Sequence, residues 1–211
     1  MLPATSLIIV GTDTDAGKTF VTRAIWERYA PHLRVCKPVG TGYPQDNDVA
    51  YAGLAPLLHF TPAISPHLAA ELQGSPIHLD TLLRRVREQA PHLIETAGGL
   101  LCPLNRERKE TNLQLVEQLA RPVLLVVPNR LGCVNHALLT LAILRARSIP
   151  TLGFVLNRQA EGDPTIQRDN GLTIRDLSGA DFLGEFLPDD PTLPAPLSAL
   201  LNQRFGSDYG H

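Results

Sequence analysis

Short apolar runs alternate with helical patterns along this chain, and that alternation sets the expected fold. Ser6–Val10 (SLIIV) is a compact apolar run, followed by the glycine-containing loop Gly11–Thr19 (GTDTDAGKT) and a helical pattern over Phe20–Tyr29. Leu33–Tyr43 reads as a second strand running into a Gly/Thr-rich loop. Pro44–His59 opens polar and is expected to become helical, with Asp48 near the helix start. Thr61–Ile77 reads as an irregular, proline-containing connection holding one short helix. Leu79–Ala90 is amphipathic, with Leu82, Leu83 and Val86 at helical spacing. His92–Thr96 is a third strand and Asn112–Ala120 a short helix. Pro122–Val127 is a continuous apolar run, as expected of a strand covered on both faces of a parallel sheet. A helix is expected from about Val134 to Arg147, a buried strand over Thr151–Asn157 and a helix near Thr165–Leu177. Phe182–Pro188 is a last short strand, Leu197–Phe205 a closing helix, and 206–211 a frayed tail. Strands alternating with helices throughout predict a single α/β domain over 1–211, with a largely parallel sheet and helices on both faces.

The first loop carries the clearest chemistry. A strand, a glycine-containing loop and a helix, in that order, wrap backbone N–H groups around phosphates at a helix N-terminus. In GKT, Lys18 is placed to reach the β/γ-phosphates and Thr19 to ligate Mg²⁺. The spacing departs from GxxxxGK[ST]. Five residues separate Gly11 from Gly17, so Thr12 stands where the first glycine is usual.

Composition narrows the function classes. At 211 residues and 44% hydrophobic content the chain can bury one sizeable core. A net charge of −2 with no long block of one sign argues against a nucleic-acid partner. The three cysteines, Cys36, Cys102 and Cys133, are far apart and form no CxxC. That fits a reducing cytoplasm rather than a disulfide framework. The N-terminus has no basic region before its short apolar run, and no later run approaches a membrane span, so a soluble protein is expected. Lysine is scarce: only Lys18, Lys37 and Lys109 occur, and two of them lie in glycine-bounded segments.

Three further residues stand where ligands bind in open parallel sheets, beyond or near strand ends. Lys37 closes the second strand within KPVGTG; the alternative is a surface lysine. Glu95 closes the third strand and is a candidate Mg²⁺ partner or a structural carboxylate. Asp48 is equally a ligand or a helix cap favoured by the dipole. Asn157 ends a strand and offers the donor and acceptor that suit an adenine edge, which is a weak signal alone. His67 reads as a loop or core residue, and Arg106–Thr111 (RERKET) as a solvated charged loop.

The ordered set of segments resembles the dethiobiotin synthetase family across nearly the whole chain. The matching pieces are GTDTDAGKT, KPVGTG (Lys37–Gly42), Asp48, SPH (Ser65–His67), ETAGGLLCPL (Glu95–Leu104), PVLLVV, LGCVNHALLT (Leu131–Thr140), GFVLN (Gly153–Asn157) and LGEFLP (Leu183–Pro188). The family shares the odd loop spacing. The resemblance implies a P-loop NTPase fold, a homodimer with active sites near the subunit interface, and ATP with Mg²⁺. It implies a reaction of 7,8-diaminononanoate with CO2 and ATP to give dethiobiotin, ADP and phosphate. Lys37, Lys18 and Thr14 take the catalytic positions. Asp15, Ala16, Gly17, Lys18, Thr19 and Phe20 are implied to meet the nucleotide, with Asp48, Glu95, Thr96, Ala97, Gly98, Asn157 and Pro188. Thr14, Lys37, Thr41 and Gly98 are implied on the substrate side, Asn170 at the neighbouring subunit's substrate, and Thr19, Asp48 and Glu95 at the metal.

One departure stands out. The family usually has glycine where this chain has Thr96, so a Cβ and a hydroxyl are expected at a point of close ligand approach. Three rival readings remain at this stage. A partition-type regulatory ATPase would carry a signature lysine early in the loop, where Asp13 stands. A small-molecule or nucleotide kinase would need a basic lid, for which RERKET is the one candidate. A family member turned to another substrate is the third.

Overall fold

The computed structural model describes residues 1–30, 32–158 and 164–206. The expected frayed tail therefore lies outside the described residues beyond Gly206. The first apolar run becomes strand β1 (Leu7–Gly11), buried throughout. Gly17, at φ 89°, turns the chain into helix α1 (Lys18–Tyr29). Such a left-handed turn suits glycine, and a Cβ there would collide with the Asn157 amide.

The expected second strand is split in two. Val35–Cys36 (β2) joins the main sheet, whereas Val39–Thr41 (β3) leaves it to pair with β4 (Leu58–Phe60). Pro38 lies at the break; it has no N–H to continue a ladder. Its carbonyl accepts from Leu58 N at 3.1 Å, and that of Lys37 from Leu57 N at 2.9 Å, so both turn to β4. The helix expected within 44–59 is thereby corrected. Only one 3₁₀ turn forms, Ala50–Ala52, and Gly53 at φ 68° closes it. Pro56, its ring against Gly40, then brings the chain into β4 instead of extending a helix.

Helices α2 (Pro66–Leu72) and α3 (Leu79–Gln89) follow as expected, then β5 (Leu93–Gly99). The charged cluster is the exposed turn of a small antiparallel ribbon, β6 (Pro103–Asn105) and β7 (Glu110–Thr111). Thr111 then caps α4 (Asn112–Leu119): its hydroxyl accepts from Leu113 N, and Gln114 reaches back to Thr111 N at 2.8 Å. That reciprocal capping fixes where the helix starts. The remaining elements are β8 (Val123–Asn129), α5 (Cys133–Ala146), β9 (Thr151–Arg158), α6 (Pro164–Ser178), β10 (Phe182–Phe186) and α7 (Ala195–Phe205).

The main sheet has six strands in the order β10-β9-β8-β1-β5-β2, all parallel. Its side-chain alternation divides the core. Ile8, Val10, Leu125 and Val127 face a cluster built with Leu82, Val86, Val116 and Ala137 of α3, α4 and α5. Leu7, Ile9, Leu124 and Val126 face Val21 and Ile25 of α1 and Leu197 and Leu201 of α7. Both faces being covered explains the unbroken apolar runs. Each of the Val, Leu and Ile side chains among these contributes about 1.5–3 kcal/mol by leaving water. The topology brings the carboxyl ends of β1 and β5, with the loop after β2, to one edge.

Candidate active site

At that edge lies a cavity of about 920 Å³, bordered by the phosphate loop, the Lys37–Asp48 segment and the β5 end. The loop residues Thr14, Asp15, Gly17, Lys18 and Thr19 line it, as do Lys37, Thr41, Asp48, Ala97 and Gly98. Residues from three separate chain segments thus converge at one cavity.

A chain of contacts joins the charged members. The Thr19 hydroxyl donates to Glu95 Oε1 at 2.9 Å, and Lys37 Nζ donates to the same oxygen at 2.6 Å. Lys37 also pairs with Asp48 Oδ2. Glu95 is 0% exposed and the Lys37 side chain 4%, whereas the Asp48 side chain is 38% exposed. Burial pulls the Lys37 pKa down, but the Glu95 and Asp48 carboxylates outweigh it and hold it above the ordinary lysine value. Lys18 behaves oppositely. Burial, then the nearby Lys37 cation, lowers its pKa to about 8. Its Nζ curls back onto the loop, donating to the Asp13 and Thr14 carbonyls at 2.9 Å each. Arg130 holds the loop from outside through Asp13, at 2.9 Å.

The donor set fits a hard divalent cation. Glu95 Oε2 is buried and has no hydrogen-bond partner, beside the Thr19 hydroxyl and the half-exposed Asp48 carboxylate. Among the described residues no group of three or more His, Cys, Asp and Glu could hold a metal. A site of two carboxylates and one hydroxyl leaves room for phosphate and water oxygens, which is how Mg²⁺ is usually held.

Other predicted residues fall elsewhere. Thr96 is 1% exposed, and its hydroxyl donates to the Ile9 carbonyl at 3.2 Å. It turns into the sheet and does not border the cavity. The β1–β5 register slips here: Ile9 faces Glu95, yet Gly11 faces Gly99, so β5 carries two extra residues. Ala16 is buried, and Phe20 packs edge-on against Phe186 at 5.8 Å. Asn157 donates to Ala16 O at 3.3 Å, against the loop's underside. Pro188 is exposed just past β10. Asn170 is not brought to the cavity. It is buried in α6, donating to Asn129 Oδ1 at 2.7 Å.

The sequence reading missed several cavity residues: Gln45, Asp46, Asn47, Ile64, Ser65 and Cys102. The polar opening of Pro44–Asp48 was the available signal for the first three. Burial raises the Cys102 thiol pKa above the ordinary value, which suits a packed thiol rather than a nucleophile.

The parallel sheet and the strand–loop–helix cradle define a P-loop nucleotide-binding protein. Solved structures share the fold at low identity: an ATP complex of McdA from Cyanothece (TM-score 0.59, 13% identity, 95% of this chain and 96% of that one) and a ParA family ATPase from Chlorobium tepidum (0.54, 12%, 96% of each). The family model described as an AAA domain matches residues 5–196. Curated relatives are closer in sequence. The ATP-dependent dethiobiotin synthetase BioD of Aeromonas hydrophila is 35% identical over 94% of this chain and 96% of its own length. That of Paramagnetospirillum magneticum is 34% identical over 92% of each. The chain belongs to the ATP-dependent dethiobiotin synthetase family.

Proposed function

We propose that this protein is an ATP-dependent dethiobiotin synthetase, closing the ureido ring of dethiobiotin from 7,8-diaminononanoate and CO2. The observation that carries the reading is the buried Lys37, held between Glu95 and Asp48 and bordering the same cavity as Lys18. An amine and CO2 form an anionic carbamate, which must then approach an anionic phosphate. Two lysines facing one cavity reduce that repulsion and hold the reactants in line.

In this reading, carbamate oxygen attacks the γ-phosphorus of ATP and ADP leaves, giving a carbamic–phosphoric anhydride. The second amine attacks the anhydride carbonyl, the urea closes and phosphate departs. Lys18 leaves the Asp13 and Thr14 carbonyls for the phosphates, while Lys37 neutralises the carbamate and the transferring group. Thr14 and Thr41 hydrogen-bond the substrate end, beside Gly98. Asp15–Phe20, Ala97 and Gly98 surround the nucleotide, with Asn157 and Pro188 toward its base. Thr19, Asp48 and Glu95 would hold Mg²⁺, which when bound neutralises charge on the β- and γ-phosphates. Thr96 has no such place, because its hydroxyl is turned onto the Ile9 carbonyl within the sheet.

The same reading takes residues 1–211 as one domain working in the cytoplasm; no helix of the described residues is long and apolar enough to cross a membrane. Pairing of two copies is supported by the exposed Leu101 and Leu139, which border a second cavity of about 470 Å³ beside Thr12–Thr14. Phosphate release from the purified protein, with bicarbonate and diaminononanoate omitted singly, tests the function. Turnover that needs both is expected; turnover indifferent to both points to a regulatory ATPase.

A further inference from the structure

Asn112 is the first residue of α4, directly after the Thr111 cap, and is only 1% exposed. A buried amide is costly unless its hydrogen-bonding groups are used, and this residue directs them at one short stretch of chain. Its Nδ2 donates to the Ala97 carbonyl at 2.5 Å and to the Gly99 carbonyl at 2.9 Å. Its backbone N–H donates to the Cys102 carbonyl at 3.0 Å. One residue of α4 thus grips the end of β5 and the turn after it at three points. The grip falls where β5 carries its two extra residues opposite β1, and where the ladder is interrupted.

The gripped stretch is a wall of the active-site cavity. Ala97, Gly98 and Cys102 border that cavity, whereas Asn112 does not. Gly98, at φ 65°, turns the chain between the two held carbonyls. Among the described residues the one cis peptide bond is Tyr43–Pro44. Ala97–Gly98 is therefore trans, and in a planar trans peptide the C=O and the N–H point in opposite directions. With the Ala97 carbonyl turned to Asn112, the Gly98 N–H points away from α4. On that far side the stretch lies against the phosphate loop: a Cβ at Gly98 would stand 3.8 Å from Thr14 Oγ1, and one at Gly99 3.1 Å from the Thr12 carbonyl oxygen. We propose that Asn112 is a positioning residue for the reaction. By holding the Ala97 and Gly99 carbonyls it keeps the Gly98 N–H aimed at an anionic oxygen of the ligand, and keeps the β5 end seated on the loop that carries Thr14 and Lys18. The inference rests on the reading of Gly98 as a ligand contact given above. A donor fixed before the ligand arrives stabilises charge without reorganising, and a small misplacement of it lowers the rate by up to about 10²-fold.

Steady-state turnover and thermal melting of three variants test this. Asn112→Leu is close in size and removes the donors. Asn112→Asp keeps the shape but sets a carboxylate against two carbonyls; a carboxylate in the first turn of a helix is favoured, so this variant serves if the leucine one does not fold. In both, kcat for the phosphate release that depends on bicarbonate and diamine is expected to fall about 10–100-fold. The KM for ATP should change much less, as for an interaction that matters in the transition state. Val116→Ala is the control: it loosens the core packing of α4 and lowers the melting temperature, but leaves the grip in place. Well below melting, its kcat should stay within about twofold of the parent. If the Asn112 variants melt lower yet keep kcat within about twofold of the parent, Asn112 only anchors α4 and the inference is overturned. A loss of kcat in Val116→Ala as large as theirs traces the effect to a loosened helix and overturns it too. If the parent's phosphate release ignores both bicarbonate and diamine, the proposed function fails, and the inference with it.

Discussion

Two buried polar clusters lie at carboxyl ends of sheet strands, and they differ in how completely they are satisfied. At the ends of β8 to β10, Asn129 donates to Gln167 O at 2.9 Å and to Glu185 Oε1, and accepts from Asn170. Arg158 closes this group by pairing with Glu185. None of the unpartnered buried atoms of the described residues lies there. The cluster between the loop and β5 leaves Glu95 Oε2 unpaired and holds a lysine cation between two carboxylates. A fully satisfied network rigidifies a fold; a partly satisfied one with a cavity beside it is arranged for something that arrives later. The contrast supports the proposal that the chemistry belongs to the Lys37 cluster.

The largest effect expected is that of Lys37→Ala. Turnover should be lost while ATP still binds, as single-turnover phosphate release and nucleotide titration would show. Near-normal turnover would remove Lys37 from the mechanism. The same change strands Glu95 without its cation, so the metal-free protein should lose about 3–5 kcal/mol of stability. Mg²⁺ with ADP should return part of that, whereas added salt should not. Denaturant unfolding with and without Mg²⁺ checks both statements.

Asn129→Ala is the counterpart in the satisfied network. It should cost about 1–3 kcal/mol, because the Asn170 amide is left buried without its acceptor. Both it and Asn170→Ala should leave the KM for the diamine within about twofold, on the order of the noise of additive, distant changes. A KM rise in Asn170→Ala without loss of stability would return that residue to the substrate side.

Much of this division was legible before any coordinates, for a physical reason. Phosphate binding demands a strand, a backbone nest and a helix start in immediate succession, so GTDTDAGKT declares itself. Lys37 and Glu95 follow because a parallel sheet presents strand ends on one side. The segment 44–59 was misread because hydrophobic spacing there resembles a helix, while Pro38, Gly53 and Pro56 settle the path by sterics and missing donors.

A subtler effect separates the two lysines. Lys18, with its pKa lowered to about 8, is partly neutral in the free protein near that pH, and an anionic phosphate beside it favours the charged form. Nucleotide binding at about pH 8 should therefore take up on the order of half a proton. Calorimetry in buffers of different ionisation enthalpy measures this, and Lys18→Met should abolish it. Lys37, held charged by its carboxylates, contributes none. The linkage for folding has a definite sign. Between about pH 8 and the ordinary lysine value the unfolded chain holds more protons at Lys18 than the native one, so Lys18 makes ligand-free stability rise with pH there.

The smallest effect expected is at Thr96, and it tests whether side-chain direction rather than chain position decides function. The residue stands between Glu95 and Ala97, two members of the charged, unsatisfied end, yet its own hydroxyl is satisfied by Ile9. It bridges β1 and β5 where β5 carries two extra residues, and such a bulge re-aims the strand beyond it. Thr96→Val removes the hydroxyl at nearly constant shape and should cost about 0.5–1.5 kcal/mol. Thr96→Ser should recover most of that loss. Steady-state KM values for ATP and the diamine should stay within about twofold in both, as for a change that leaves the contacts to ligand intact. A selective KM change in Thr96→Val, with melting unchanged, would mean that the hydroxyl turns toward the ligand during turnover. The boundary between the two kinds of polar group would then run through Thr96 rather than beside it.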